Sequence, residues 1–533
     1  MKQNIITLFL IFFITNTIAG ICTSEICENE LETKYYNKFK HYNVDFKHLF
    51  EEKERFLHKY SPNNEYGYNN TIEKIYAEEL LDRLKDKIFF DYTANGVYTK
   101  HQMNQIFENL MTKFYANGHS HNDVSMRTEN AVHEVREMIL KMFNTNSNNY
   151  TVIFTNGATG GLKLIGESFP WTNNSKFMYL RQNHNSVLGI REYAIEQGAE
   201  FKTVTAEELN SEGCEDLFSD QCDGIPKALR KPTLTEYPSE VYNLFAFPAT
   251  ENFSGEKFPL EWINKFKKEK TGKNNNWLVL LDAAAYLSSA QLDLSKYEAD
   301  FVVMSFYKIV GYPTGLGALV VTNDVLEIMQ KSFFGGGTVI MTDCDTHFCL
   351  LHQNGCQRFE DGTINFLSIA SLKYGILEHQ RFGTQNIQNH VMAIVDYVYD
   401  ELSELKHSTG VKVCEIYGKH YEKNHQTQGP IINLSFKNAT GHYVGYNYID
   451  TKLTIAGFQV RTGSSCNPGA CYGVLNITSD EVRKFSLGRD SCGDDRDIVD
   501  GKPLGGVRIS FGFLSTFEEA YSLVEFVKKN FVH

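Results

Sequence analysis

A single lysine, Lys308, follows a run of apolar residues, Phe301–Met304, which is typical of a buried strand in a parallel sheet. A turn-forming Pro-Thr-Gly-Leu-Gly segment comes soon after it. Apolar surroundings disfavour the charged form of a lysine, lower its pKa and leave its amine free to react. A free amine is what Schiff-base chemistry with an aldehyde cofactor requires. Because a lone lysine in such a loop is more often a surface residue, Lys308 has to be judged together with other residues.

Three further groups of residues could bind such a cofactor. Asp282 ends the apolar strand Leu278–Leu281, and a carboxylate there could keep a pyridine nitrogen protonated, which makes pyridoxal phosphate an electron sink, or it could simply cap a turn. The segment Thr155–Gly161 joins a strand to a helix, and its N–H groups, the Thr159 hydroxyl and the helix dipole could cradle a phosphate. His184 follows the next strand and could stack on a cofactor ring.

A second reactive group, the thiol of Cys466, lies far from Lys308 in the sequence. It occupies a loop of small and turn-forming residues near Arg461, where an exposed cysteine could act as a thiolate nucleophile. A buried cysteine, or a disulfide with Cys471, is the alternative interpretation. Taken together, Lys308 and Cys466 indicate attack by a protein thiolate on a sulfur atom made labile by pyridoxal phosphate.

The elements that must position these residues predict an α/β fold. After residue 85, apolar strands alternate with helical segments, which indicates a mostly parallel sheet whose strand ends gather side chains at one edge. Two helices, Phe366–Phe382 and Asn386–Leu405, then lead into a smaller α+β region. The predicted organisation is an N-terminal helical segment (21–85), a large cofactor-binding domain (86–365) and a small C-terminal domain (366–533).

Composition and the N-terminus restrict the class of protein further. The chain of 533 residues carries a formal net charge of -13, which argues against nucleic-acid binding. Lys2, the apolar run Ile5–Ile14 and the small Ala19-Gly20 pair fit a secretory signal peptide over residues 1–20, although an uncleaved anchor is an alternative. The expected location is therefore the secretory pathway or the cell exterior, or the cytoplasm if the segment is not functional. In an oxidising compartment the closely spaced Cys344 and Cys349 could pair.

With these residues identified, the chain resembles the class V (fold type I) pyridoxal phosphate enzymes of the cysteine desulfurase type, from about Phe89 to Val532. More narrowly, it resembles the N-terminal domain of the molybdenum cofactor sulfurases. The motifs that carry the resemblance are Phe114–Ser120, Thr151–Thr159, Asn183–Tyr193, Asn252–Gly255, Leu281–Ala284, Ser305–Lys308, Phe334–Thr338, Phe359–Thr363, Arg461–Gly463, Cys466–Cys471 and Val507–Gly512.

The resemblance implies a role for each matching residue at the cofactor. Lys308 would form the Schiff base and move the α-proton of the substrate. Asp282 would pair with the pyridinium nitrogen, His184 would stack on the ring, and Asn252 would bond its phenolic oxygen. The implied phosphate ligands are Ala158 through its N–H, Thr159 and Ser305, joined by Thr338 from a second subunit of a homodimer.

The resemblance also implies a substrate and a reaction. Arg508 would hold the substrate carboxylate, with Arg461 beside it, and Cys466 would take the sulfur of L-cysteine as a persulfide while alanine is released. The final sulfur acceptor is not identified and could be molybdenum cofactor or a carrier protein. No metal site is implied.

The sequence departs from the family pattern in three respects, and two alternative functions stay open. The first departure is the apparent signal peptide, since the family resembles cytosolic enzymes. Ser464 stands where sulfurases often have another cysteine, and no C-terminal molybdenum-cofactor-binding domain is expected, since the sequence ends near the end of the desulfurase lobe. The alternatives are another class V activity, such as an aminotransferase or lyase in which Cys466 is incidental, and a catalytically inactive secreted homologue.

Overall fold

The computed structural model describes residues 24–533 except His121, 212–239, 269–275, Asn354, Asp490 and 492–493. The predicted signal peptide lies outside these residues and stays a prediction. Among the described helices, none combines the length and the apolar character that crossing a bilayer requires. The exposed Cys344 and the half-buried Cys349 are free thiols in the structure.

The predicted α/β fold is confirmed by a central sheet of seven strands. Most of its side chains are buried on both faces, as expected for a sheet covered by helices on either side. In spatial order the strands are Tyr150–Thr155, Gly317–Thr322, Phe301–Ser305, Asn276–Asp282, Tyr242–Pro248, Lys176–Leu180 and Glu200–Val204.

One strand of this sheet runs against the others. Gly317–Thr322 pairs antiparallel with both of its neighbours, whereas the remaining neighbouring pairs are parallel. Its first residue, Gly317, is packed closely against the backbone of Met304 and Gly157. A Cβ on Gly317 would lie 2.6 Å from the carbonyl carbon of Gly157. The strand that leads to Lys308, Phe301–Ser305, lies between this antiparallel strand and Asn276–Asp282, so both of its edges are hydrogen-bonded.

Helices cover both faces of the sheet and connect it to the rest of the chain. The segment after His184 forms two short helices, which are divided at Gly189. The helices of this region are Lys100–Thr112, Asp123–Met142, Gly157–Ser168, Asn185–Leu188, Ile190–Glu196, Ala206–Ser211, Glu261–Lys268, Phe306–Val310, Asn323–Ile328 and Phe366–Phe382. A hairpin of two strands, Val339–Thr342 and Cys349–Leu351, projects between the last two of them.

The C-terminal region forms a second, smaller α+β unit. Its antiparallel sheet has the order Cys414–Tyr417, Ile431–Lys437, Gly506–Ser510 and Arg461–Gly463, with Tyr443–Val444 beside the second strand. Its helices are Thr384–Ser403, Tyr446–Ile455, Pro468–Val474, Ser479–Ser486 and Phe517–Phe531. The arginine and cysteine candidates therefore come from this unit and meet the edge of the large sheet.

Residues 24–84 are mainly helical and share one hydrophobic core with this C-terminal unit. The helices are Ser24–Phe39, Phe46–Tyr60, Ile72–Glu79 and Leu81–Leu84. A buried ion pair joins the two parts, because Lys38 Nζ lies 3.1 Å from Glu519 Oε1 with both side chains almost inaccessible to solvent. Burial lowers the pKa of Lys38, and the Glu519 carboxylate opposes that change.

Replacing Lys38 with methionine is expected to destabilise the protein by about 3–5 kcal/mol, because it leaves the Glu519 carboxylate buried without its partner. Chemical unfolding monitored by tryptophan fluorescence measures the effect. The matched control is Lys34→Met, which removes a lysine from the exposed Lys34–Asp82 pair on the same helix and should change little. Equal effects of the two substitutions would contradict this account of the buried pair.

Candidate active site

Lys308 lies in a short helix, Phe306–Val310, immediately after the central strand Phe301–Ser305. The N–H of Gly96 donates to the Tyr307 carbonyl at 3.0 Å, so an N-terminal segment fixes the backbone beside the lysine. Burial lowers the pKa of Lys308, and the positive charges of Arg508 and Arg461 act in the same direction, against Asp282. Lys308 is therefore buried, as its expected role requires, but charged side chains lie around it as well as the apolar residues that the sequence predicts.

The carboxylate of Asp282 interacts electrostatically with both Lys308 and His184. The buried Asp282 ends the neighbouring strand and accepts a hydrogen bond from the Ala284 N–H at 3.0 Å. His184 caps the helix Asn185–Leu188, where its Nδ1 accepts the Ser186 N–H at 3.1 Å. Burial lowers the pKa of His184 despite the nearby Asp282 carboxylate, which favours a neutral imidazole at neutral pH.

The predicted phosphate ligands meet at the N-terminus of the helix Gly157–Ser168. The Ala158 N–H donates to the Ser305 hydroxyl at 2.8 Å, and the Thr159 hydroxyl lies 2.9 Å from the Ser186 hydroxyl. Hydroxyl groups and backbone N–H groups at the start of a twelve-residue helix form a favourable site for an anion. Ser186 was not selected from the sequence, although it lies within the motif that contains His184.

Thr338 is the one predicted phosphate ligand that is not part of this cluster. Its hydroxyl is buried in its own loop, where it donates to the Gly335 carbonyl at 2.8 Å and accepts the Gly335 N–H at 3.0 Å. Within the described part of the chain, no hydrogen bond joins it to the cluster at Ala158. Its assignment to the phosphate of a second subunit stays a prediction.

The loop that carries Cys466 rests against the cofactor residues. Ser465 and Cys466 both have left-handed backbone angles, with φ of 54° and 57°, which are unfavourable for residues other than glycine. Two hydrogen bonds hold this conformation, from the Asn185 N–H to the Cys466 carbonyl at 2.8 Å and from Asn252 Nδ2 to the Ser465 carbonyl at 2.6 Å. Asn252, the predicted ligand of the phenolic oxygen, therefore also contacts the thiol loop.

The thiol of Cys466 is exposed and free, whereas Cys471 is a buried free thiol. The structure therefore contains no disulfide between them, and burial raises the pKa of Cys471 well above its usual range. The Cys466 carbonyl accepts the N–H of Asn185, the residue after His184, so the loop that carries this thiol lies beside the cofactor residues. This arrangement agrees with the nucleophile interpretation of Cys466.

Two residues that the sequence analysis did not select fix the thiol loop. Asn467 is fully buried, accepts the Ala470 N–H at 3.1 Å and donates to the Asn252 side chain at 3.2 Å. It also donates to Glu251 at 3.3 Å, a buried carboxyl group whose pKa is raised by burial. Asparagine before Pro468 is a common start of a helix, which is the signal that could have identified Asn467.

Gly469 in the same helix tests how tightly this loop is held. An added Cβ would lie 2.6 Å from the carbonyl carbon of Arg181, which is closer than such atoms approach. Gly469→Ala should therefore displace the loop, lower the free energy of unfolding by about 1–3 kcal/mol and change the rate at which Cys466 is alkylated. Gly473→Ala is the matched control, since its Cβ would meet nothing within 4 Å. The same alkylation rate in both variants would show that the contact does not position Cys466.

The predicted substrate arginines lie on neighbouring strands and share one carboxylate. Arg508 and Arg461 are directly paired in the small sheet. Arg508 Nη2 donates to Asp91 Oδ1 at 2.8 Å, and Arg461 Nη1 lies 3.9 Å from Asp91 Oδ2. Arg508 Nη1 also donates to the Asn252 carbonyl at 2.8 Å, which connects this group to the cofactor residues. Asp91 was not selected as a site residue from the sequence.

The fold and this site define a class of protein, because a lysine, a carboxylate, an imidazole and an anion site converge at the end of a mostly parallel sheet. The sequence model of the class-V aminotransferases matches residues 88–523. The chain therefore belongs to the class-V aminotransferase family, and the resemblance inferred from its motifs is confirmed at this level.

Two relatives show which members of this family the chain is similar to. The molybdenum cofactor sulfurase of Solanum lycopersicum is 41% identical over 495 residues, which cover 90% of this chain and 60% of that protein. The human molybdenum cofactor sulfurase is 37% identical over 485 residues, which cover 89% of this chain and 53% of that protein. The chain thus spans little more than half the length of these relatives.

A solved structure supports the fold independently of these sequences. The apo cysteine desulfurase of Thermococcus onnurineus NA1 superposes with a TM-score of 0.65 at 18% identity, over 86% of this chain and 98% of that one.

Members of the class-V family use pyridoxal phosphate, and the donor set fits this cofactor. An amine with a lowered pKa, a buried carboxylate and a neutral imidazole suit its aldehyde, pyridine nitrogen and ring, while the start of the helix Gly157–Ser168 suits its phosphate. Arg508 Nε is buried without a hydrogen-bond partner among the described residues, so a donor is left for a bound anion.

Proposed function

We propose that the chain is a pyridoxal phosphate-dependent cysteine desulfurase of the molybdenum cofactor sulfurase type. The observation that carries this proposal is the Cys466 loop, whose two left-handed residues are bonded to Asn185 and Asn252 at the edge of the Lys308 site. An incidental surface cysteine would not need a strained loop held against the cofactor residues. The similarity to molybdenum cofactor sulfurases supports the same conclusion.

The chain's own residues would bind and orient the cofactor. Lys308 would attach it through Nζ, Asp282 would face its pyridine nitrogen, and Ala158, Thr159 and Ser305 would hold its phosphate. When bound, pyridoxal phosphate supplies an electron sink that weakens the bonds around the α-carbon of an amino acid. Because burial lowers its pKa, Lys308 gives up a proton more readily and can carry one between its Nζ and that carbon.

The proposed substrate is L-cysteine, and the proposed nucleophile is the Cys466 thiolate. Cys466 Sγ attacks the sulfur of the substrate, so an S–S bond forms as the Cβ–S bond breaks. The electron pair of the broken bond remains on the substrate carbon, which takes up a proton to give alanine, and Cys466 is left as a persulfide. No external oxidant is needed, because the sulfur transferred to the enzyme is balanced by reduction of the substrate carbon.

The persulfide would form on an exposed side chain, so a second molecule could reach it. The acceptor proposed from the similarity to the sulfurases is molybdenum cofactor or a carrier protein. In vitro, a thiol reductant can take the place of the acceptor and release the sulfur as sulfide.

We also propose that the active species is a homodimer. Large apolar side chains remain exposed on the helix Lys100–Thr112, just after it, and on the hairpin that follows Thr338. These side chains are Phe107, Met111, Phe114, Ile340, Met341 and Phe348. The segment after the helix lies beside the Thr338 loop, because a Cβ on Gly337 would lie 3.2 Å from the His119 ring. A second copy on this surface could bring its Thr338 loop to the phosphate site.

Light scattering tests the proposed homodimer, and it should give the mass of two chains.

A lyase is the second candidate, because the same fold serves that chemistry. A structure described as a complex between the cystine C–S lyase C-DES and its product cysteine persulfide has a TM-score of 0.59 at 17% identity, over 85% of this chain and all of that one. The products distinguish the two activities. A desulfurase forms alanine, whereas β-elimination forms pyruvate and ammonia from the same carbon skeleton.

Product analysis therefore tests the proposed function. The cofactor-loaded protein is incubated with L-cysteine and a thiol reductant, and sulfide, alanine and pyruvate are quantified. Equal amounts of sulfide and alanine support the desulfurase. Sulfide with pyruvate would replace it by the lyase, and conversion of an amino acid to its 2-oxo acid without sulfide would indicate an aminotransferase.

A further inference from the structure

Among the residues that the structure describes, Asp91 is the carboxylate that contacts both arginines of the site. It accepts a hydrogen bond from Arg508 at 2.8 Å and lies 3.9 Å from Arg461. Like charges directly opposite each other in a sheet repel, and these two arginines occupy such a pair. A carboxylate between them offsets that repulsion and fixes the direction of the buried Arg508 side chain.

The backbone around Asp91 is anchored, so its carboxylate is a fixed part of the site. Asp91 forms a bridge with Ser510, two residues after Arg508 on the same strand. The Ser510 N–H donates to the Phe90 carbonyl at 2.7 Å, and the Thr93 N–H donates to the Ser510 hydroxyl at 3.0 Å. The strand that carries Arg508 therefore also holds the residue that neutralises part of its charge.

The charges of this group define what it can bind. In the group that is in direct contact, two guanidinium groups and one carboxylate leave one positive charge, which a single substrate carboxylate neutralises. The buried Glu251 also acts on Arg508 and adds no positive charge for a second anion. Arg508 uses Nη2 for Asp91 and Nη1 for the Asn252 carbonyl, while its buried Nε has no partner among the residues described. An unpaired buried donor of this kind is costly unless a ligand satisfies it. The unpaired Arg508 Nε donor and the single positive charge of the group fit one substrate carboxylate, and no further positive charge is left for a second.

We propose that Asp91 is a positioning residue that orients Arg508 and Arg461 and restricts the site to amino acids with one carboxylate and an uncharged side chain. This inference rests on the proposed function only in taking an amino acid as the substrate. L-Cysteine and the product alanine satisfy the restriction, whereas L-aspartate carries a second carboxylate.

Binding of unreactive amino acids tests the proposal. Calorimetry gives the dissociation constants of L-alanine and L-aspartate for the cofactor-loaded protein, and the wild type is expected to prefer L-alanine. Asp91→Asn should shift the ratio of the two constants toward L-aspartate by about tenfold, the effect expected of one screened charge at this range. Asp91→Glu, which keeps the charge, should restore the preference. Desulfuration by Asp91→Asn should show an increased KM for L-cysteine and a smaller change in kcat.

The control is Asp86→Asn, which removes a charge from an exposed side chain of the same N-terminal segment and should leave the ratio unchanged. An unchanged ratio in Asp91→Asn, or an equal loss of affinity for both amino acids, would overturn the proposal and reduce Asp91 to a structural role. The ratio does not depend on sulfur chemistry. A protein that discriminates these ligands but yields no sulfide would thus support Asp91 while contradicting the desulfurase.

Discussion

Cys466→Ala should lower the release of sulfide and alanine from L-cysteine by roughly a thousandfold or more, because the substrate sulfur loses its nucleophile. The visible absorption of the bound cofactor should remain, since Lys308, Asp282 and the phosphate ligands are unchanged. Parallel assays of both products and an absorption spectrum measure the two effects. Stability should change little, because the Cys466 side chain is exposed.

The matched control for this prediction is Cys344→Ala, which removes another exposed free thiol at the hairpin. It should retain wild-type release of both products. If Cys466→Ala keeps its activity while Cys344→Ala loses it, the nucleophile has been assigned to the wrong loop. If both variants remain active, sulfur transfer to a protein thiol is not required and the lyase becomes the better description.

Lys308→Ala should abolish measurable turnover, with a loss of roughly a hundredfold to ten-thousandfold for proton transfer alone. It should also remove the covalent attachment of the cofactor. Treatment with borohydride should fix the cofactor to the wild-type chain at residue 308 but leave none on the variant, which peptide mass spectrometry can detect. This readout does not depend on the substrate and therefore tests the lysine separately from the desulfurase proposal.

Lys163→Ala provides the control for the lysine, because Lys163 is exposed on the helix that begins at the phosphate site. It should retain both covalent attachment and turnover. Cofactor fixed to another lysine in the Lys308→Ala protein would contradict the assignment of the reactive amine.

Much of the fold could be predicted because its strands and helices have clear apolar patterns. Phe366–Phe382 has the bounds that the sequence predicts, and the predicted strands Leu278–Leu281 and Phe301–Met304 differ from the observed ones by at most two residues at either end. The antiparallel strand Gly317–Thr322 was not predicted. Strand direction depends on the length and path of the connection, which composition does not reveal.

The candidate site could be predicted where residue type alone suggests chemistry. Lys308, Asp282, His184 and Cys466 come together as expected, although they are distant in sequence. Asp91 and Asn467 were not identified from the sequence. A carboxylate after a short strand and an asparagine before a proline also occur as ordinary structural residues. Their roles depend on contacts that only the folded chain contains.

The central claim is that Cys466 accepts sulfur from L-cysteine, and a single turnover tests it most directly. The cofactor-loaded protein is mixed with L-cysteine without reductant, and peptide mass spectrometry and amino-acid analysis follow. We predict one additional sulfur atom on the peptide that contains Cys466 and an equal amount of alanine. Pyruvate in place of alanine, or no added sulfur on Cys466, would contradict the account.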